Sequence, residues 1–84
     1  MVITTKEIAE KLKEIITNEL GVTENQITPE AHLTRDFSTD RVGRSELLLV
    51  IEQEFNVDFS VDEEDRLTTI GSVIKLLKEK LGVN

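Results

Sequence analysis

Several residue types that carry chemistry are absent or rare in this chain. It has no cysteine, tryptophan or tyrosine, and only one histidine among 84 residues. Without cysteine there is neither a disulfide framework nor a thiolate zinc site. A glycine-rich phosphate loop and a metal-ligand spacing of histidine with acids are also missing. We therefore predict that the protein is not an enzyme, with no catalytic residue and no metal ligand.

Long apolar runs are missing as well. No stretch approaches the ~20 residues that a membrane-spanning helix needs. The N-terminal segment is charged from Lys6 onward, unlike a secretory signal peptide. We expect a soluble, cytoplasmic protein that does not insert into a membrane.

Positive charge is scarce relative to negative charge. The net charge is −7 at pH 7, and residues 30–66 account for all of it with eleven acids and four arginines. Because phosphate backbones are bound by clustered Lys and Arg, we predict no nucleic-acid partner. An acidic centre suits a basic protein surface, although a solvated helix surface is the ordinary reason for a run of charge.

Capping signals and helical periodicity predict four helices. Two capping boxes, Thr4 with Glu7 and Ser60 with Glu63, mark helix starts, and Asp40 is a favourable N-cap residue. The predicted helices run from Thr5 to Leu20, from Asp40 to Phe55, from Ser60 to about Leu67, and from Thr68 or Thr69 to Gly82. No segment alternates with a period of two, so we predict no sheet.

The segment between the first two helices, residues 22–39, has the composition of a long loop. Such length is unusual in a small domain unless the loop is functional or packed down by its own side chains. Four apolar residues are expected to hold it to the core: Val22, Ile27, Leu33 and Phe37. The predicted fold is an all-α bundle of four helices, with a short third helix and a long first loop. It forms a single domain over residues 1–84.

The stretch 36–55, DFSTDRVGRSELLLVIEQEF, resembles the signature of the acyl carrier protein family. In that family an acidic loop ends in Asp-Ser-Leu, and an acidic helix follows. The likeness covers essentially the whole chain. ELGVTENQIT is similar to the end of the family's first helix, and FSVDEEDRLTTIGSVIKLL to its third helix and the start of its fourth. The resemblance implies the four-helix fold of that family.

The resemblance also implies a function. Typical members tether acyl groups as thioesters on a phosphopantetheine arm attached to the serine. They dock through an acidic second helix on basic patches beside the active sites of pathway enzymes. Their bundle interior can hold an acyl chain. The matching interior residues in this chain are Leu47, Leu48, Ile51 and Phe55.

Roles can be carried over residue by residue at the start of the second helix. Asp40 matches the acid before the modified serine, and Val42 matches the apolar residue after it. The attachment position itself is Arg41. Three acids match the family's docking positions, and we add one neighbouring arginine to the candidate docking residues: Glu46, Glu52, Glu54 and Arg44.

Arg41 departs from the family pattern at the residue that the modification needs. Attachment requires a hydroxyl to attack the β-phosphorus of coenzyme A, whereas a guanidinium stays protonated and has no nucleophile. Hydroxyls lie nearby on Ser38, Thr39 and Ser45, and we take Ser38 as the fallback. We therefore expect no cofactor on this chain.

Arg41 and Arg44 also lie close in sequence to Arg35 and His32. One interpretation is a basic spot that binds a phosphate or carboxylate at the start of the helix. The interpretation we favour is that the arginines pair with the acids around them. His32 is expected to make hydrogen bonds within the loop rather than to act in catalysis.

We thus predict a monomeric protein similar to acyl carrier proteins that does not accept phosphopantetheine. It would act by docking on basic surfaces of enzymes in a fatty-acid, lipid or polyketide pathway. The alternative is a functional carrier, with the arm on another hydroxyl or in a form with serine at position 41. A small anion-binding module built around Arg41 and Arg44 is a third interpretation.

Overall fold

The computed structural model describes residues 3–83, so residues 1, 2 and 84 of the predicted domain lie outside it. Four helices follow one another in this part of the chain: α1 (Thr5–Leu20), α2 (Arg41–Phe55), α3 (Val61–Arg66) and α4 (Ile70–Leu81). No strand occurs within residues 3–83, and the only extended pairing there is an isolated antiparallel bridge between His32 and Thr69. The all-α prediction is confirmed, with helix boundaries within one or two residues of those expected.

Local caps set where the helices begin. The Thr4 hydroxyl accepts the backbone N–H of Glu7 at 3.1 Å, and the Glu7 carboxylate accepts the N–H of Thr4 at 3.1 Å. Ser60 and Glu63 make the same reciprocal pair at the start of α3. Both predicted capping boxes are therefore present, and each satisfies backbone N–H groups that have no partner inside the helix.

Residues in the left-handed backbone conformation end the three longer helices. Gly21 closes α1 and Gly82 closes α4, with φ values of 69° and 70°. Asn56 closes α2 with a φ of 55°, a conformation that asparagine tolerates better than most side chains do. Because few other residues adopt this backbone cheaply, the ends of α1 and α4 are readable from the sequence.

The long segment between α1 and α2 contains one 3₁₀ turn, Glu24–Gln26, which the sequence pattern does not signal. Its second half lies against residues 67–71, which we call the α3–α4 junction. Three backbone hydrogen bonds join the two segments: Leu33 N–H to Thr68 O (2.9 Å), Ile70 N–H to Ala31 O (3.0 Å) and Gly71 N–H to Pro29 O (2.9 Å). The loop is thus fixed to the far end of the chain by its backbone as well as by its side chains.

The buried side chains in the described part of the chain are all apolar. Three helices and the loop supply most of them: Ile8, Leu12, Ile15 and Ile16 from α1; Leu47, Leu48, Ile51 and Phe55 from α2; Ile70, Val73 and Leu77 from α4; Ile27, Ala31, Leu33 and Phe37 from the loop. Of the four predicted loop anchors, three are buried and Val22 is partly buried against this core.

The apolar residues of α2 do not all face the core. Val42 is 63% exposed and Leu49 is 53% exposed, whereas Leu48 is fully buried. At 100° per residue, Val42 and Leu49 lie on nearly the same side of the helix, away from Leu48. The run LLLVI covers more than half of the helix circumference, so part of it has to face solvent.

Helix α3 has no buried residue, and an ion pair joins its first turn to α4. Glu63 forms an ion pair with Lys80 of α4 at 2.9 Å while its carboxylate also caps the N–H of Ser60. The Ser60 N–H and, second, the Lys80 ammonium hold the pKa of Glu63 below its ordinary value of 4.5. Glu63 therefore joins the start of α3 to α4 in its ionised form.

Another cation links α1 to α2. The Lys11 ammonium donates to the backbone carbonyl of Glu54 at 2.8 Å and lies 5.1 Å from the centre of the Phe55 ring. Since α2 has no basic residue in its own last turn, the favourable charge at its C-terminus comes from a neighbouring helix.

Leu33→Ala tests whether the loop belongs to the core. Leu33 is fully buried, so the substitution should lower the free energy of unfolding by about 2–5 kcal/mol in urea denaturation. Leu49→Ala removes the same atoms from an exposed position and should cost less than about 0.5 kcal/mol. Equal losses of unfolding free energy in the two variants would contradict the conclusion that the loop is packed into the core.

Glu63→Gln tests the ionised contact between α3 and α4. Because the pKa of Glu63 is lowered by folding, its ionised form stabilises the protein above about pH 4.5, and this contribution is lost as the pH falls through the folded-state value. Urea denaturation should show a destabilised variant at pH 7 and a smaller difference from the parent at pH 3. Glu14→Gln, at an exposed position of α1, is the matched control. If Glu63→Gln lowers the free energy of unfolding equally at pH 7 and pH 3, the ionised contact between α3 and α4 is refuted.

Candidate functional site

The start of α2 is organised by Asp40. Its carboxylate accepts the backbone N–H of Gly43 at 2.7 Å, which confirms Asp40 as the N-cap residue. A Cβ added at Gly43 would lie 3.2 Å from the Asp40 Oδ1, so a residue without a side chain leaves this cap undisturbed. Arg41 is consequently the first residue of the helix.

Arg41 is exposed and makes no ion pair or side-chain hydrogen bond within residues 3–83. A cation is electrostatically disfavoured at the start of a helix, because the backbone dipole already carries partial positive charge there. The helix start thus presents a solvated guanidinium, with no hydroxyl at the position that follows the cap.

The three neighbouring hydroxyls differ in their surroundings. The Thr39 hydroxyl donates to the Leu33 carbonyl at 2.6 Å and is partly buried. Ser38 is exposed and has a φ of 54°, an unusual backbone conformation for a residue with a side chain. Ser45 is exposed one helical turn beyond Arg41. Ser38 and Ser45 are therefore the accessible hydroxyls near this position.

Arg44, one of the candidate docking residues, is directed at α3. Its guanidinium donates to the Leu67 carbonyl through Nε at 3.2 Å and Nη2 at 2.8 Å, and also to the Glu64 carbonyl. These carbonyls lie at the C-terminal end of α3, where cations are favoured. The Glu64 carbonyl also accepts the backbone N–H of Leu67 at 3.1 Å. Arg44 therefore acts as a cap for another helix.

The predicted cluster of four cations does not form a common donor group. The favoured interpretation, that Arg41 and Arg44 pair with nearby acids, is wrong for both, because neither has an ion pair within residues 3–83; only Arg35 lies near an acid, 3.8 Å from the adjacent Asp36. Arg44 binds backbone carbonyls. The His32 Nδ1 accepts the backbone N–H of Arg35 at 3.3 Å, which fits its predicted role in the loop. Arg41 is the one member of the four without such a contact among the described residues.

The candidate docking acids also separate into two kinds. The Glu52 carboxylate accepts the backbone N–H of Phe59 at 3.0 Å and so holds the segment between α2 and α3. Glu46 and Glu54 have exposed side chains. Docking by any of these residues stays a prediction, but Glu46 and Glu54 are the two that a partner can reach without breaking a contact.

An outward row on α2 brings acidic and apolar groups together. Val42, Glu46 and Leu49 are spaced four and three residues apart and all are exposed, so they share one side of the helix. We call these three residues the α2 ridge. Leu49 was not among the candidate residues, although its seven-residue spacing from Val42 is a sequence signal for a shared face.

Within residues 3–83, no group of three or more His, Asp or Glu side chains is placed to hold a metal ion. The helices described there are also too short or too polar to cross a bilayer. The start of α2 therefore presents charged and apolar surface to a partner. Asp40 caps the helix there, and Arg41 supplies an exposed cation.

Comparison with known proteins places these features in a family. The family described as "Phosphopantetheine attachment site" matches residues 10–77. An acyl carrier protein from Picosynechococcus sp. is 33% identical over 79 residues, which cover 94% of this chain and 98% of that protein. An acyl carrier protein structure from Enterococcus faecalis superposes with a TM-score of 0.78 at 23% identity, covering 93% of this chain and 99% of that one.

Arg44→Met tests the cap on α3. Removing the guanidinium leaves the Leu67 carbonyl without its donor, while the Glu64 carbonyl keeps the N–H of Leu67. The loss should lower the free energy of unfolding by about 1–3 kcal/mol. Amide hydrogen exchange should rise in residues 61–67. Arg41→Met removes the same charge from an exposed position and should change stability by less than about 0.5 kcal/mol. Unchanged exchange in residues 61–67 of Arg44→Met would show that the cap is dispensable.

Proposed function

The chain belongs to the acyl carrier protein family, and from that premise we propose that it docks on pathway enzymes without carrying an acyl group. Members of the family are carriers rather than enzymes and interact with the enzymes of their pathways. A fatty-acid, lipid or polyketide pathway is the setting that we propose. The observation that carries the proposal is the guanidinium of Arg41 at the first position of α2.

The residue at this position does not fit a phosphopantetheine arm. Attachment needs a nucleophilic hydroxyl, and Arg41 presents a group that stays protonated and only donates hydrogen bonds. Asp40 caps the helix that follows, and we propose that the scaffold of the site is retained without its attachment group. We infer that phosphopantetheine is not a cofactor of this chain.

The nearby hydroxyls are poor substitutes. Ser45 lies about 6 Å further along the helix axis at ~1.5 Å per residue, and Thr39 already donates to the Leu33 carbonyl. Ser38 is also accessible, but it lies three residues before the family's position. Since a misplacement of ~1 Å can cost a catalysed reaction about a hundredfold, we propose that none is modified.

The partners that we propose are basic surfaces of pathway enzymes. The acidic centre of the chain, with Glu46 and Glu54 exposed on α2, has the charge to recognise such surfaces. The net charge of −7 disfavours association between copies, and we propose a monomer. An acyl chain in the interior would have to separate Leu47, Leu48 and Ile51, whose side chains are buried.

A functional carrier is the second candidate, favoured by the family match over residues 10–77 and by the exposed hydroxyl of Ser38. In that case phosphopantetheine would be attached to a hydroxyl other than one at position 41. An anion-binding module is less favoured, because Arg44 is engaged with α3 and does not join Arg41.

Intact-protein mass spectrometry separates the two candidates. The unaltered chain and Arg41→Ser are incubated with coenzyme A and a broad-specificity phosphopantetheinyl transferase. We expect the mass of the arm on Arg41→Ser alone, because only that variant has a hydroxyl after Asp40. An arm on the unaltered chain would overturn the proposed function, and fragmentation would then place it on Ser38, Thr39 or Ser45.

A further inference from the structure

The α2 ridge is the largest exposed apolar feature of α2. Val42 and Leu49 are 63% and 53% exposed and lie on either side of Glu46. Seven residues of helix separate the two apolar side chains by about 10 Å. Two exposed aliphatic side chains with an acid between them suit a partner surface of matching layout. Such a surface has two shallow apolar contacts with a positive charge between them.

The charge around the ridge defines the kind of partner. All of the net negative charge lies in residues 30–66, which include the ridge and the exposed acids Asp62 and Asp65 of α3. A complementary surface is therefore basic, with a Lys or Arg opposite Glu46. A second copy of this chain carries the same negative charge and does not meet that requirement.

The size of the ridge indicates a transient contact. Two aliphatic side chains and one acid make a patch far smaller than the ~800 Å² per partner of a stable interface. A partner bound through such a patch dissociates rapidly. The fraction of a shared surface that this chain occupies would therefore depend on its concentration relative to that of the competing proteins.

Resting on the proposed function, we propose that this chain is a competitive antagonist of arm-bearing carriers. The α2 ridge occupies the basic surface of an enzyme that acts on such carriers, while Arg41, at the adjacent helix start, offers nothing to modify or transfer. Each docking event then ends in dissociation without reaction. The enzyme surface is occupied for that time, and the rate toward a reactive carrier falls.

The phosphopantetheinyl transferase serves as the probe enzyme, with Arg41→Ser as its acceptor. Initial rates of arm attachment are measured by mass spectrometry at several acceptor concentrations, with increasing amounts of the unaltered chain. We expect inhibition that is competitive with the acceptor, with an inhibition constant within about tenfold of the acceptor's KM, because the two proteins share the same docking face.

Charge reversal on the ridge supplies the specific control. Glu46→Lys in the inhibiting chain should raise its inhibition constant about three- to tenfold. Glu14→Lys makes the same change in net charge at an exposed position of α1 and should leave inhibition nearly unchanged. Leu49→Asp should weaken inhibition by about tenfold or more, because it places a second acid where an apolar contact is needed.

Several outcomes would overturn the antagonist proposal. One is no inhibition by the unaltered chain at a tenfold excess over the acceptor's KM. Others are a non-competitive pattern, or equal weakening by Glu46→Lys and Glu14→Lys. Sedimentation velocity of the chain mixed with Arg41→Ser provides a further check, since a mixed dimer would explain inhibition by sequestration of the acceptor. An arm on the unaltered chain instead refutes the proposed function, so the two failures are distinguishable.

Discussion

The α3–α4 junction is the constraint on which the rest of this small fold depends. Its residues, 67–71, exchange three backbone hydrogen bonds with the loop between α1 and α2, and the Leu67 carbonyl accepts two donors from Arg44. Three segments that are distant in sequence therefore meet at one turn. Without this turn, the loop would lose its backbone partners and α3 would lose its C-terminal cap.

Cations supplied by one helix to the end of another are a second recurring feature. Lys11 of α1 donates to the last turn of α2, and Arg44 of α2 donates to the end of α3. Each contact gives a donor to carbonyls at a helix end and places positive charge at the negative end of a helix dipole. In a chain of 84 residues with a limited core, such contacts fix helices that burial alone holds weakly.

The two arginines at the start of α2 show how position decides role. Arg41 and Arg44 are three residues apart, yet one is solvated and the other is held by backbone carbonyls of α3. A rotation of about 300° along the helix separates them, and only Arg44 faces a neighbouring element. The fold thus holds the Arg44 guanidinium against α3 and leaves the Arg41 guanidinium exposed at the first position of α2.

Local sequence signals were sufficient for the helices, the capping boxes and most of the core of this protein, and a resemblance that spans the whole chain was sufficient for the family. Those features depend on residues three or four apart, or on a pattern that spans the whole chain. The contacts of Arg44, Glu52 and Lys11 join residues from 7 to 43 positions apart. The exposure of Val42 and Leu49 depends likewise on which side of α2 is covered. Tertiary packing alone decided these features, because a helix sequence shows which residues share a face but not which face its neighbours cover.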